Sequence, residues 1–142
     1  VKRDKMKGFQ AYACLAALTF LAIVYASTVF TRNPQTDYHY NLDLFWSWRA
    51  VFRGSREMLK EDILNIMLLL PLGGLLPFAF DKKIRWWQGL LCGIVVSFGI
   101  EILQLVLKRG LFELDDIINN SLGCMMGAVL GSVVAHLLAG KE

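Results

Sequence analysis

"RGLFELDDIINNSLGCMMGAVLGSVVAHLL", residues 109 to 138, decides the fold. It opens with Arg109, Asp115, Asp116, Asn119 and Asn120 and then runs almost wholly apolar to Leu138. Hydrocarbon penalises an unpaired carboxylate or amide heavily, so these groups must sit at a surface, find partners, or do chemistry. The apolar remainder has the length of a membrane span, about 20 residues for a core of about 30 Å.

The rest of the chain agrees with a membrane setting. With 56% hydrophobic and 19% charged residues in 142, it is too apolar for a water-soluble domain of its size. The net charge of +3 is modest, and the cations lie in short flanks, which argues against nucleic acid as a partner. Cys14, Cys92 and Cys124 are odd in number and fall inside apolar runs, so they read as small buried thiols.

Four apolar segments are expected to span, at 9–30, 63–80, 86–107 and 117–139, in an all-α bundle forming one domain over 1–142. The second carries Pro71 and Pro77, which predict a kink or partial unwinding there. The first follows a basic stretch and contains a weak signal-cleavage pattern at Val24-Tyr25-Ala26. Its apolar run continues past that point to Phe30, which favours an uncleaved anchor.

Positive charges near spans tend to stay cytoplasmic. Lys2, Arg3, Lys5 and Lys7 precede the first span, Lys82, Lys83 and Arg85 join the second to the third, and Lys141 follows the fourth. Both termini are therefore expected in the cytoplasm of a multi-pass membrane protein. The outer loop, 31–62, has five cations balanced by five acids. Its "NLDLFWSWRAVFRG", residues 41–54, interleaves aromatic and charged residues, as a headgroup-level segment does, and either anchors the chain or caps what lies beneath.

With that topology, nearly all the polar residues of the spans fall towards one face of the membrane. Asn65 is expected in the first turn of span two. At about 1.5 Å per residue, Glu101 lies roughly 9 Å inside the end of span three. Ser97, Glu101, Gln104 and Lys108 follow helical spacing on one stripe. Glu101 at that depth needs a cation, a set of donors, or a proton, and Arg109 is the nearest obvious counter-charge. In span four, Asp116, Asn120, Gly123, Gly127 and Gly131 share a face, and glycines at that interval admit a close helix neighbour, in this chain or in a second copy. Asp115 and Asp116 also fit helix N-terminal capping. Of Asn119 and Asn120, spacing from Asp116 places Asn120 inward.

Several catalytic sets are missing. His39 and His136 lie near opposite faces, so no Ser-His-Asp or Cys-His pairing is visible. Glu101, Asp115 and Asp116 would suit a hard cation such as magnesium, but no ligand spacing specifies one, and no metal or cofactor is assigned. Gly73-Gly74 reads as packing or a kink, not as a phosphate loop.

Three blocks, "NIMLLLPLGGLLP" (65–77), "SFGIEILQ" (97–104) and "RGLFELDDIINNSLGCMMG" (109–127), together resemble the VanZ-like family of small bacterial membrane proteins. The family's Asn-Leu-x-Pro-Phe element is similar to "NLDLF" (41–45), with Leu44 in place of proline, and Glu113 stands where an aspartate is commoner. The resemblance implies lowered susceptibility to teicoplanin, a lipid-tailed glycopeptide directed at cell-wall precursors, without implying a reaction.

The combined expectation is an outer-facing polar pocket acting on a membrane lipid or lipid-linked cell-wall precursor, or on the lipoglycopeptide itself. Its residues are Asn65, Gln104, Arg109, Asp115, Asp116 and Asn120 for binding, with Glu101 as buried acid or proton acceptor and Arg109 on a phosphate or headgroup anion. A membrane enzyme acting on a lipid-linked phosphate or sugar, and a scaffold for cell-wall assembly, are the competing classes.

Overall fold

The computed structural model describes residues 2–140, with side chains from residue 7 onward. The cations Lys2, Arg3, Lys5 and Lys141 of the orientation argument lie outside the described side chains. The described chain is all-α apart from one short strand pair, and four helices are long and apolar enough to cross a membrane. These are α1 (Lys2–Tyr25), extended by a π-helical turn over Ala26–Phe30, then α3 (Arg56–Phe80), α4 (Trp86–Val106) and α5 (Leu114–Ala139). Between α1 and α3 lie β1 (His39–Asn41) and the short α2 (Trp46–Phe52), and β2 (Leu111–Glu113) precedes α5.

Helix α3 differs from the sequence expectation in its start and in its interior. Helix α3 begins at Arg56, well before residue 63, because Ser55 caps it: its hydroxyl oxygen accepts from the Met58 amide at 3.3 Å. The charged turns 56–62 are therefore helical, Asn65 sits in the third turn instead of the first, and Asp62 joins the inward stripe with Asn65, Leu69, Leu72 and Leu76. Helix α3 also stays helical through Pro71 and Pro77. Each proline removes only one backbone bond, and packing against neighbouring helices holds the geometry.

The glycines explain how α3 and α5 meet. A Cβ added at Gly123 would fall on the Ile66 carbonyl oxygen, at Gly127 on that of Leu70, and at Gly131 on that of Gly74. Residues four apart on each helix are thus in backbone contact, which only glycine permits. The face that spacing offered to a second copy is filled by α3 of the same chain. Helix α4 uses Gly89 and Gly93 in the same way against α5, where added Cβ atoms would meet the Ala128 side chain at 2.5 Å and the Ser121 backbone at 2.7 Å.

Helix α4 ends in a tight reversal. Lys108 takes the left-handed conformation, with φ 53°, and the Arg109 amide bonds back to the Gln104 carbonyl at 2.8 Å. The chain then enters β2, which pairs in parallel with β1 in the register His39 to Leu111, Tyr40 to Phe112 and Asn41 to Glu113. This pairing draws the long α1–α3 connection over the α4–α5 end of the bundle. Two crossings, α1 and then α3, return the chain to its starting side, so Gln10 of α1 and Ala79 at the end of α3 are neighbours, joined by a 2.9 Å hydrogen bond. Leu69, Leu72, Leu76, Ile100, Cys124 and Ala128 form the apolar centre, whereas leucines and valines such as Leu15, Val95 and Leu130 face outward.

Candidate functional site

At the α3 start, α4 end and α5 start, the bundle's interior turns polar. Asp62, Ser97, Glu101, Gln104, Asp115, Asn119, Asn120 and Ser121 are all at most 3% exposed. One or two turns deeper the same stripes become apolar or bare: Leu69 and Leu72 on α3, Gly93 on α4, and Cys124 and Ala128 on α5. The contrast marks a distinct layer, and its hydrogen bonds assign each member a task.

Asp115 holds the roof. Its two carboxylate oxygens accept from the Phe45 amide at 2.5 Å, the Ser47 amide at 2.9 Å and the Ser47 hydroxyl at 2.7 Å. A carboxylate therefore sits at the N-terminus of α2, where both free amides and the helix dipole favour an anion. Phe45 takes a left-handed φ of 59° to aim its amide inward, a conformation rare for a bulky residue. Trp48 donates to the Asn119 side-chain oxygen at 2.9 Å and Trp46 to Glu113 at 3.1 Å. The aromatic loop thus caps the polar layer, one of the two roles its sequence allowed. Burial pushes the Glu113 carboxyl above its ordinary value, against the opposing pull of the Trp46 hydrogen bond.

Asn119 and Asn120 are both inward. Asn119 bridges the roof to α3 by donating to Asp62 at 2.9 Å, and Asn120 donates to Ser97 on α4 at 2.9 Å. Spacing selected Asn120 alone, yet the first turn of α5 is surrounded by α2, α3 and α4 at once, so two adjacent faces are covered. Two buried oxygens in this layer lack a hydrogen-bond partner, Asp62 Oδ2 and Asn120 Oδ1.

Nearer the α1–α4 side, Asp116 accepts from Asn65 at 2.6 Å, and Glu101 accepts from the Glu113 amide at 2.9 Å. Gln104 donates to the Thr28 carbonyl at 3.0 Å. Thr28 lies in the π-helical turn, where the longer bond from the Thr31 amide to the Ala26 carbonyl breaks the ordinary ladder and frees carbonyls for outside donors. Asn65, Glu101, Gln104, Asp116 and Asn120 are thus brought into one layer, and Asp115 joins it as the anchor of α2.

Arg109 is placed differently from its expectation as the counter-charge of Glu101. Its Nη1 donates to the carbonyls of Phe30 at 2.7 Å and Arg32 at 3.0 Å, and among the described residues it forms no ion pair. The reversal at Lys108 turns it outward, onto the end of the π turn. The cation whose field reaches both Glu101 and Asp116 is Arg32. Arg32 Nη1 and Gln104 Oε1 would each lie 3.1 Å from a Cβ on Gly110, so the exposed guanidinium stands beside the buried amide, with no side chain between them.

The carboxylates do not gather as metal ligands. Among the described residues no group of three or more His, Cys, Asp or Glu side chains is arranged to hold an ion. Asp115 is turned to α2, Asp116 to Asn65 and Glu101 to β2. The layer is a set of fixed acids and amides whose two unpartnered atoms are both acceptors, and Arg32 and Arg109 lie beside it.

Asp62, Ser47 and Arg32 were missed from sequence. Asp62 had a usable signal, since 62, 65, 69, 72 and 76 share one α3 stripe. Ser47 and Arg32 had none, because their positions depend on how the outer loop folds back.

Neither a curated protein nor a solved structure matches the chain. The family model for VanZ/LLP1 matches residues 9–135, which takes in α3, α4, most of α1 and α5, the roof and every residue of the polar layer. The chain is a membrane-spanning member of the VanZ/LLP1 family.

Proposed function

We propose that this chain acts at the outer face of the bacterial cytoplasmic membrane on a lipid-anchored envelope component and so lowers susceptibility to lipoglycopeptides such as teicoplanin. The carrying observation is the juxtaposition of exposed Arg32 with buried Gln104, above Glu101 and Asp116. A phosphate or carboxylate at the headgroup level is drawn to Arg32 and to the free guanidinium edge of Arg109, whose Nη1 is already committed to backbone. The buried side chains beneath fix the geometry of that site. Both termini then lie in the cytoplasm, in keeping with the cations at Lys82, Lys83 and Arg85 on the other side.

Glu101 favours a second reading, in which the protein is an enzyme acting on a lipid-linked phosphate or sugar. It is a buried acid, 1% exposed, with one oxygen held by the Glu113 amide and a cation's field nearby. Such a group has a place in proton transfer. Reconstituted protein offered a lipid-linked phosphate distinguishes the two. Under the binding reading, Arg32→Gln and Arg109→Ala weaken capture and no product forms. Turnover by wild type that Glu101→Gln abolishes, with capture intact, establishes the enzyme. No capture by wild type at all removes both.

The glycine face of α5 gives the scaffold class no free docking surface, since Gly127 meets the Leu70 carbonyl inside the bundle.

A further inference from the structure

The end of the bundle opposite the polar layer carries a groove that no part of the proposed function uses. It measures about 1190 Å³ and runs between the start of α1 and the last turns of α5, with Phe9, Phe78, Val129 and Val133 in its walls. Lys82, Lys83 and Arg85 stand at its mouth, with Asp81 the acid among them. A second groove of about 440 Å³ shares Lys82, Ile84 and Trp87 with the first and, apart from Gln88, is otherwise walled by apolar side chains and Cys92, with Phe80, Leu91 and Val95 among them. Two apolar channels therefore diverge from one cationic loop.

The loop is held in place. Ser132 of α5 accepts from the Ile84 amide at 3.0 Å and donates to the Ile84 carbonyl at 3.1 Å, and the Gln88 side chain accepts from the Arg85 amide at 2.9 Å. Lys83 and Arg85 consequently flank a fixed, buried Ile84. Helix α4 starts at the same point and adds the favourable end of its dipole for an anion. The larger groove exceeds the roughly 300–1,000 Å³ of sites for drug-sized molecules, and Phe9, Phe78, Val129 and Val133 make its walls apolar beyond the cationic loop. Basic recesses between membrane helices, with aromatic residues at the interface, match anionic headgroups and their chains.

We infer that this end binds one anionic glycerophospholipid from the surrounding leaflet, with its phosphate against Lys82, Lys83 and Arg85 and its two acyl chains in the two grooves. A helix from a second copy fits less well, since it would fill one groove and leave the other and the cations unused.

Trp86 and Trp87 line the larger groove and are 58% and 45% exposed, so they report occupancy. Full-length protein is reconstituted in phosphatidylcholine vesicles doped with a minor fraction of brominated phosphatidylglycerol, or with the same fraction of brominated phosphatidylcholine. Tryptophan quenching by the anionic bromolipid should exceed that by the zwitterionic one. Each cation removed along Lys82→Gln, Lys83→Gln and Arg85→Gln should lower the enrichment about fivefold. All three side chains are exposed, so the variants fold. Val133→Phe, at an exposed wall position, narrows the larger groove, keeps the cations, and should also reduce the preference. Equal quenching by both lipids in wild type overturns the inference. So does a preference that survives Val133→Phe undiminished, which identifies diffuse surface charge, or quenching by neither lipid, which identifies a second copy covering the groove.

Discussion

Asp115 and Asp116 are adjacent in sequence and do different work, and substituting each in turn exposes the difference. Asp115→Ala removes the acceptor for two α2 amides and one hydroxyl at a site 1% exposed. Hydrogen bonds to a charged group contribute about 1.5–3 kcal/mol each, and donors left buried without partners add to the loss. Part of the cost is relieved because α2 can swing outward and meet water. The net expectation is about 3–5 kcal/mol off the docking of α2, or roughly a hundredfold or more in its opening equilibrium. Asp116→Ala removes one bond, from Asn65, and should open α2 by less than about tenfold. Amide hydrogen exchange across residues 45–53, in protein reconstituted in a bilayer, reads the opening directly. Exchange at Ser47 that is unchanged in Asp115→Ala, or equally accelerated in both variants, refutes the assignment of Asp115 as the anchor.

Other consequences concern packing, pairing and pH. Gly123→Ala sets a methyl on the Ile66 carbonyl and should cost about 1–3 kcal/mol in thermal unfolding, whereas Gly8→Ala, inside α1 with nothing within 4 Å, should leave the midpoint unchanged or raise it slightly through helix propensity. Asn119→Leu strands both the Asp62 carboxyl and the Trp48 donor and should destabilise by about 2–4 kcal/mol; adding Asp62→Leu should recover about 1–2 kcal/mol, and strict additivity would disprove the bridge. Because burial raises the Glu113 carboxyl, the docked form keeps its proton after an open, solvated Glu113 has lost it. Docking of the Trp46 side should therefore weaken as pH rises through the range just above the ordinary glutamate value. In Glu113→Gln that step disappears, as followed by α2 amide exchange against pH.

How much was legible in the sequence follows from which contacts are local. The four spans and the Ser97–Glu101–Gln104 stripe are set by helical period within one segment, and all three side chains are buried as spacing requires. The glycine interval on α5 announced a close neighbour, but the identity of that neighbour depends on α3 carrying Ile66, Leu70 and Gly74 at the matching interval. Asp62 was hidden by treating charged turns as loop, when the Ser55 cap makes them helix. The roof was illegible for a different reason. Asp115 meets Ser47 across 68 residues, through a left-handed Phe45 and a parallel strand pair that leave only weak local marks. Arg109 went astray for a related reason: a left-handed lysine at 108 reverses the chain just where helical extrapolation would have carried the arginine towards Glu101.

The central claim, that the polar layer and its cations form a working site at the outer face, is tested most directly by teicoplanin susceptibility. A sensitive host would express wild type, Glu101→Gln, Arg32→Gln or Arg109→Ala, with membrane abundance matched across all four. Protection by wild type that is lost in every variant at equal abundance is the expected result. Protection that persists in all three would contradict the claim and leave these residues as elements of folding alone.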